Sequence, residues 1–147
     1  MKKIICICSV LLFSFSTTFA YSAKDVNEKV IKIFKRGFPD VKEPSWHTYD
    51  NCYEVYFKKD NCATRICYDF DGNLLSTLCH YDQSKLPAFI RAKVTRKYEG
   101  KSIFGVTELT TETDHAYHIV LQDDKYWYKI KADESGRISL ENKFKKA

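Results

Sequence analysis

Four of the six cysteines, four histidines and three turn aspartates are the residues of this chain whose type and spacing could do chemistry, Cys6 and Cys8 lying in the apolar run of the expected leader. Cys52, Cys62, Cys67 and Cys79 could bind zinc, exchange electrons or cross-link strands. No Cys-x-x-Cys is present, which removes the usual redox motif. With a hairpin turn at Lys59-Asp60, Cys52 lies opposite Cys67. With a second turn at Asp71-Gly72, Cys62 lies diagonal to Cys79. Residues five apart on a strand face opposite sides, so Cys62 and Cys67 each bond only on their own side. Of the three connectivities open to four cysteines, the disulfides Cys52–Cys67 and Cys62–Cys79 respect both registers, and the four sulfurs cannot converge on one tetrahedral metal.

The histidines are His47, His80, His115 and His118. His115-x-x-His118 has a spacing seen in metal sites, but on a strand residues three apart point to opposite faces, and the plainer reading is two surface histidines. Asp69, Asp71 and Asp133 flank glycines, where carboxylates commonly bond the backbone of a turn, and Asp69-x-Asp71 lacks the further oxygens of a calcium loop. The chain has no Gly-x-Ser-x-Gly, no His-Glu-x-x-His, no phosphate loop and no dinucleotide fingerprint. The expectation is a protein that is not an enzyme, with no catalytic residues, no metal and no cofactor.

The elements that must position these residues follow a leader. Met1-Lys2-Lys3, the apolar run Ile4 to Phe15 and Thr18-Phe19-Ala20 have the three parts of a secretory signal peptide. Residues 1–20 are therefore expected to be removed after Ala20, leaving a periplasmic or secreted chain with no membrane-spanning segment. An exported chain is also one in which disulfides persist. The remaining 127 residues carry a charge of +3. Bases spread along the sequence, with short clusters at Lys58-Lys59 and Lys143, Lys145, Lys146, read as solvated surface and give no nucleic-acid partner.

Val26, Val30, Ile33, Phe34 and Phe38 recur at helical spacing and predict a helix from about Ala23 to Phe38. Alternating, aromatic-rich segments predict strands at Ser45–Asp50, Cys52–Lys58, Cys62–Phe70 and Asn73–His80. The pattern then restarts with a helix over Gln83–Tyr98, with Ser84 as a candidate cap, and strands at Ile103–Thr111, His115–Leu121, Tyr126–Ala132 and Arg137–Phe144. A constant shift of 64 residues lays Val30 on Val94, Val55 on Ile119, Ile66 on Ile130, Asp69 on Asp133 and Gly72 on Gly136. The expected architecture is α+β, a tandem duplication of a helix followed by a four-stranded antiparallel sheet, with units at 21–82 and 83–147.

A single helix covers one face of such a sheet and leaves the other open. By alternation Tyr53, Val55, Phe57, Tyr117, Ile119, Leu121, Tyr128 and Ile130 lie under the helices. Trp46 is expected in the core. The open face receives Tyr56, Arg65, His118, Val120, Trp127 and Lys129, a mix of Trp, Tyr and Arg typical of contact sites.

Trp46, the run Tyr53-Glu54-Val55-Tyr56-Phe57 and the run from Ile66 to Leu75, echoed at Tyr126 to Ile138, resemble the small exported bacterial PepSY-like proteins also described as β-lactamase-inhibitor-protein-like. The resemblance implies helix-plus-sheet units forming a larger, concave surface, and it brings no catalytic residues. It implies binding of a protein or peptide across the sheet, as an inhibitor or regulator of an envelope enzyme. The alternative expectation is a small-ligand carrier that uses a groove between helix and sheet. Cysteines at these positions depart from the family pattern.

Overall fold

The computed structural model describes residues 25–147; the expected leader and its cleavage after Ala20 lie outside the described residues. Two helices, α1 (Glu28–Gly37) and α2 (Ala88–Lys97), pack on eight strands: β1 (Ser45–Thr48), β2 (Tyr53–Lys59), β3 (Cys62–Tyr68), β4 (Leu74–Tyr81), β5 (Ser102–Thr111), β6 (His115–Gln122), β7 (Tyr126–Asp133) and β8 (Ile138–Lys145). All eight strands join in one antiparallel sheet whose spatial order is the sequence order.

That sheet corrects the expected tandem of two four-stranded sheets. β4 pairs directly with β5, from Ser76↔Thr111 to Tyr81↔Val106. Left apart, each of these strands would present a free row of backbone N–H and C=O groups; paired, they satisfy one another. The described residues accordingly form one sheet with two helices, not two repeated sheets.

Helix α1 starts at Asn27, whose Oδ1 accepts the Lys29 N–H at 2.9 Å. This is a side-chain cap, which satisfies one of the otherwise unpaired first-turn donors. The helix buries Val30 and Phe34 against Trp46, Val55, Phe57, Ile66 and Tyr68. The Phe34 and Trp46 rings meet edge to face at 5.5 Å. Helix α2 starts later than expected. Pro87 and not Ser84 stands at its cap, with no side-chain hydrogen bond, because the Ser84 region forms a turn in which its N–H binds the Asp82 carboxylate. α2 buries Ile90 and Val94 against Val106, Ile119, Leu121 and Ile130. Both helices lie on one side of the sheet, each over its own core.

The first hairpin corrects the expected register. Its turn is Asp60-Asn61, both at positive φ (51° and 58°), the backbone of the tight turn that matches strand twist. Glu54, and not Cys52, therefore lies opposite Cys67. The second register is as expected, with Thr64 opposite Cys79, and Cys62 is bonded to Cys79 with Cα atoms 5.9 Å apart. The expected Cys52–Cys67 bridge is absent: both are thiols, and burial, with the neighbouring Cys67 adding to it, pushes the Cys52 thiol up.

The turns after β3 and β7 share a construction. Asp69 Oδ1 accepts the Asp71 and Asn73 N–H groups at 2.9 and 2.8 Å, and Asp133 accepts the Arg137 N–H at 2.9 Å. Gly72 and Gly136 hold φ of +92° and +73°. A Cβ on Gly72 would meet Ile33 of α1 at 2.6 Å, and one on Gly136 would meet Lys93 and Phe89 of α2. These glycines let each turn close against a helix.

Candidate functional site

The sheet face away from the helices belongs to rows of side chains that the registers align. One row runs Tyr56, Arg65, Leu78, Leu109, Ala116 and Asp133; the next runs His80, Thr107, His118 and Lys131. Strand alternation places these side chains opposite the buried set. All six residues expected on the open face are there, but not in one cluster. Tyr56 and Arg65 are cross-strand neighbours, with the guanidinium 5.9 Å from the ring centroid. His118, Val120, Trp127 and Lys129 lie on β6 and β7. Five strand spacings separate Tyr56 from Trp127, about 24 Å.

Around Trp127 the face is aromatic. Phe104 meets the indole edge to face at 4.9 Å, Phe144 pairs with it across β8, and Lys146 Nζ lies 4.6 Å from its ring centroid. Phe104 and Phe144 are 63% and 48% exposed. Sequence alternation missed both because bulges interrupt it, between Ile103 and Gly105 and between Lys129 and Ile130. The Phe104-Gly105 step was the available signal, since an isolated glycine in a strand marks such a bulge. Nearby, His118 Nδ1 sits 3.2 Å from Glu141 Oε2.

His115 projects to the other side of β6, so the His115/His118 pair does not converge. Its Nε2 meets Glu108 Oε1 at 2.7 Å and its Nδ1 meets Glu134 Oε1 at 2.6 Å; Tyr81 Oη donates to Glu108 Oε2 at 2.6 Å. Burial opposes the charged imidazole, but the hydrogen bonds and charges of Glu134 and Glu108 outweigh it and hold the His115 pKa above the ordinary histidine value. Among the described residues no group of three or more metal-ligating side chains converges. Asp69 and Asp133 are turn residues in the structure, as their hydrogen bonds show.

The space between helices and sheet is filled. Val30, Phe34, Ile90 and Val94 are each at most 1% exposed. The depressions found, such as one of about 550 Å³ lined by Lys58, Asp60, Cys62 and His80, open at the surface. No helix among the described residues is long and apolar enough to cross a membrane.

No family model and no curated protein matches the chain. Solved structures do match. A DUF2874 family protein from Bacteroides ovatus has a TM-score of 0.66 at 16% identity, over 82% of this chain and 87% of that one. A BLIP-like protein from Bacteroides fragilis gives 0.64 at 15%, over 82% and 86%. A protein from Bacteroides eggerthii, provisionally described as periplasmic, gives 0.65 at 15%, over 82% and 88%. At these identities the fold is what is shared: the chain has the α+β fold of the DUF2874 and BLIP-like proteins.

Proposed function

We propose that this is an exported, non-enzymatic binding protein that recognises a protein or peptide through its open sheet face. The observation that carries the reading is the exposed Phe104–Trp127–Phe144 cluster beside Lys129 and Lys146 on a sheet face that neither helix among the described residues covers. Apolar aromatics rimmed by charge on a rigid surface have the composition of binding hot spots. Supporting it are the BLIP-like neighbour, the neighbour described as periplasmic, the PepSY-like pattern of Tyr53 to Leu75 and the signal-peptide pattern of residues 1–20.

The test is capture from a cell-envelope extract by the purified protein, with Trp127→Ala, Phe104→Ala as matched control. A partner recovered by the wild type and lost by a folded variant is the expected result. Equal recovery by both would remove this cluster from the interface. A bound small molecule with no protein partner in native mass spectrometry would favour the ligand-carrier alternative.

A further inference from the structure

The bases that look scattered in the sequence are concentrated by the fold. Helices α1 and α2 together carry eight of them, Lys29, Lys32, Lys35, Arg36, Arg91, Lys93, Arg96 and Lys97, against the single acid Glu28. The remaining described residues carry thirteen bases and eighteen acids. The two helices are therefore net +7 and the remaining described residues net −5, although Glu99 stands in the same surface depression as Arg91 and Arg96.

These cations lie on the outside of the layer, because Val30, Phe34, Ile90 and Val94 take the inward positions of both helices. Among the described residues few have a counter-ion. Lys32 pairs with Glu28 at 3.5 Å, whereas Lys93 and Lys97 donate to the neutral carbonyls of Ser135 and Ile138 at 2.9 and 2.8 Å. Those bonds hold them beside Arg137, in a depression that Arg96 also lines; Arg137 has Asp133 at 3.7 Å. On the same side of α2 stands Phe89, 50% exposed, with Lys93 Nζ 5.9 Å from its ring centroid. α1 sits over β1 to β3 and α2 over β5 to β7, so the two basic ridges are about 20 Å apart by strand spacing.

We infer that the helix layer docks on a membrane surface bearing anionic phospholipid headgroups, leaving the opposite sheet face directed away from the bilayer. Two separated cationic ridges match a plane of negative charge better than the single phosphate track of a nucleic acid. An exposed phenylalanine among cations is the arrangement that inserts at the headgroup boundary. This inference stands apart from the sheet-face reading and uses none of its residues.

The experiment is vesicle co-sedimentation of the purified protein. With about 40% phosphatidylglycerol and about 50 mM salt, binding should exceed that to phosphatidylcholine vesicles by at least about tenfold. It should fall to the neutral-vesicle level near 500 mM salt, where the screening length is only a few ångströms. The triple variant Lys32→Glu, Arg36→Glu, Arg96→Glu should bind like wild type on neutral vesicles only, and Phe89→Ser should weaken anionic binding several-fold. The Trp127→Ala, Phe104→Ala protein should bind vesicles normally. Equal binding to both vesicle types, or undiminished binding by the triple variant, would overturn the inference. Displacement from vesicles by duplex DNA at equal phosphate would replace lipid with nucleic acid as the partner.

Discussion

His115 is clamped between Glu108 and Glu134 on the helix side of β6, and its folded pKa lies above the unfolded one. Stability from this clamp is fully present below about pH 6.5 and is lost as pH rises through the folded pKa. The thermal midpoint should therefore fall as the pH is raised above about 6.5, and His115→Gln should lack that slope. Asp123 works in the opposite sense. Its carboxylate accepts from Tyr128 Oη at 2.7 Å and from two backbone N–H groups, which lower its pKa to about 2. Its contribution holds above about pH 4 and is lost as the pH falls towards 2, so Asp123→Asn should flatten the acid limb of a stability profile over that window. The sulfurs give a mass-spectrometric expectation. Alkylation without reductant should add no more than two groups, on Cys52 and Cys67, while Cys62 and Cys79 stay bridged. Addition of four would show the bridge unformed, and addition of none would show that the two neighbouring thiols had closed the second disulfide.

The helix-sheet seams carry the stability of the elements. Phe34→Ala should cost about 3–5 kcal/mol in denaturant unfolding, because the ring is 1% exposed and contacts Trp46, Phe38 and Phe57. Gly72→Ala should cost about 1–3 kcal/mol, since the new methyl both sits at positive φ and drives into Ile33. Much at this level was legible from alternation: all eight strands, the inward set from Tyr53 to Ile130, the burial of Trp46 and the Cys62–Cys79 pairing. The failures have local causes. Asp60-Asn61 took the turn assigned to Lys59-Asp60 because two successive residues adopt positive φ, which shifted Cys52 off Cys67. Bulges hid Phe104 and Phe144 from a rule that counts by two. The pairing of β4 with β5 was illegible because nothing near either strand encodes it; a 20-residue excursion through α2 separates them, and only the completed fold brings them together.

At the scale of the whole molecule, two apolar cores share one sheet, and the Cys62–Cys79 bridge lies on its helix side, in the core that α2 covers. A loop of this size closed by a disulfide contributes about 3 kcal/mol in the chain-entropy model. Because β3, β4 and β5 are hydrogen-bonded across the boundary between the cores, heating should give one unfolding transition. Two resolved transitions in calorimetry would show that the halves melt separately. The open edges are also guarded: β1 has only four residues, and β8 presents Glu141, Lys143 and Lys145 with a bulge in its pairing to β7, features that discourage end-to-end stacking of sheets. The strictly sequential strand order has a further meaning for a chain delivered N-terminus first. Each strand meets its partner already in place, no strand waits for one not yet released, and assembly can keep pace with emergence, leaving one growing edge exposed at any moment.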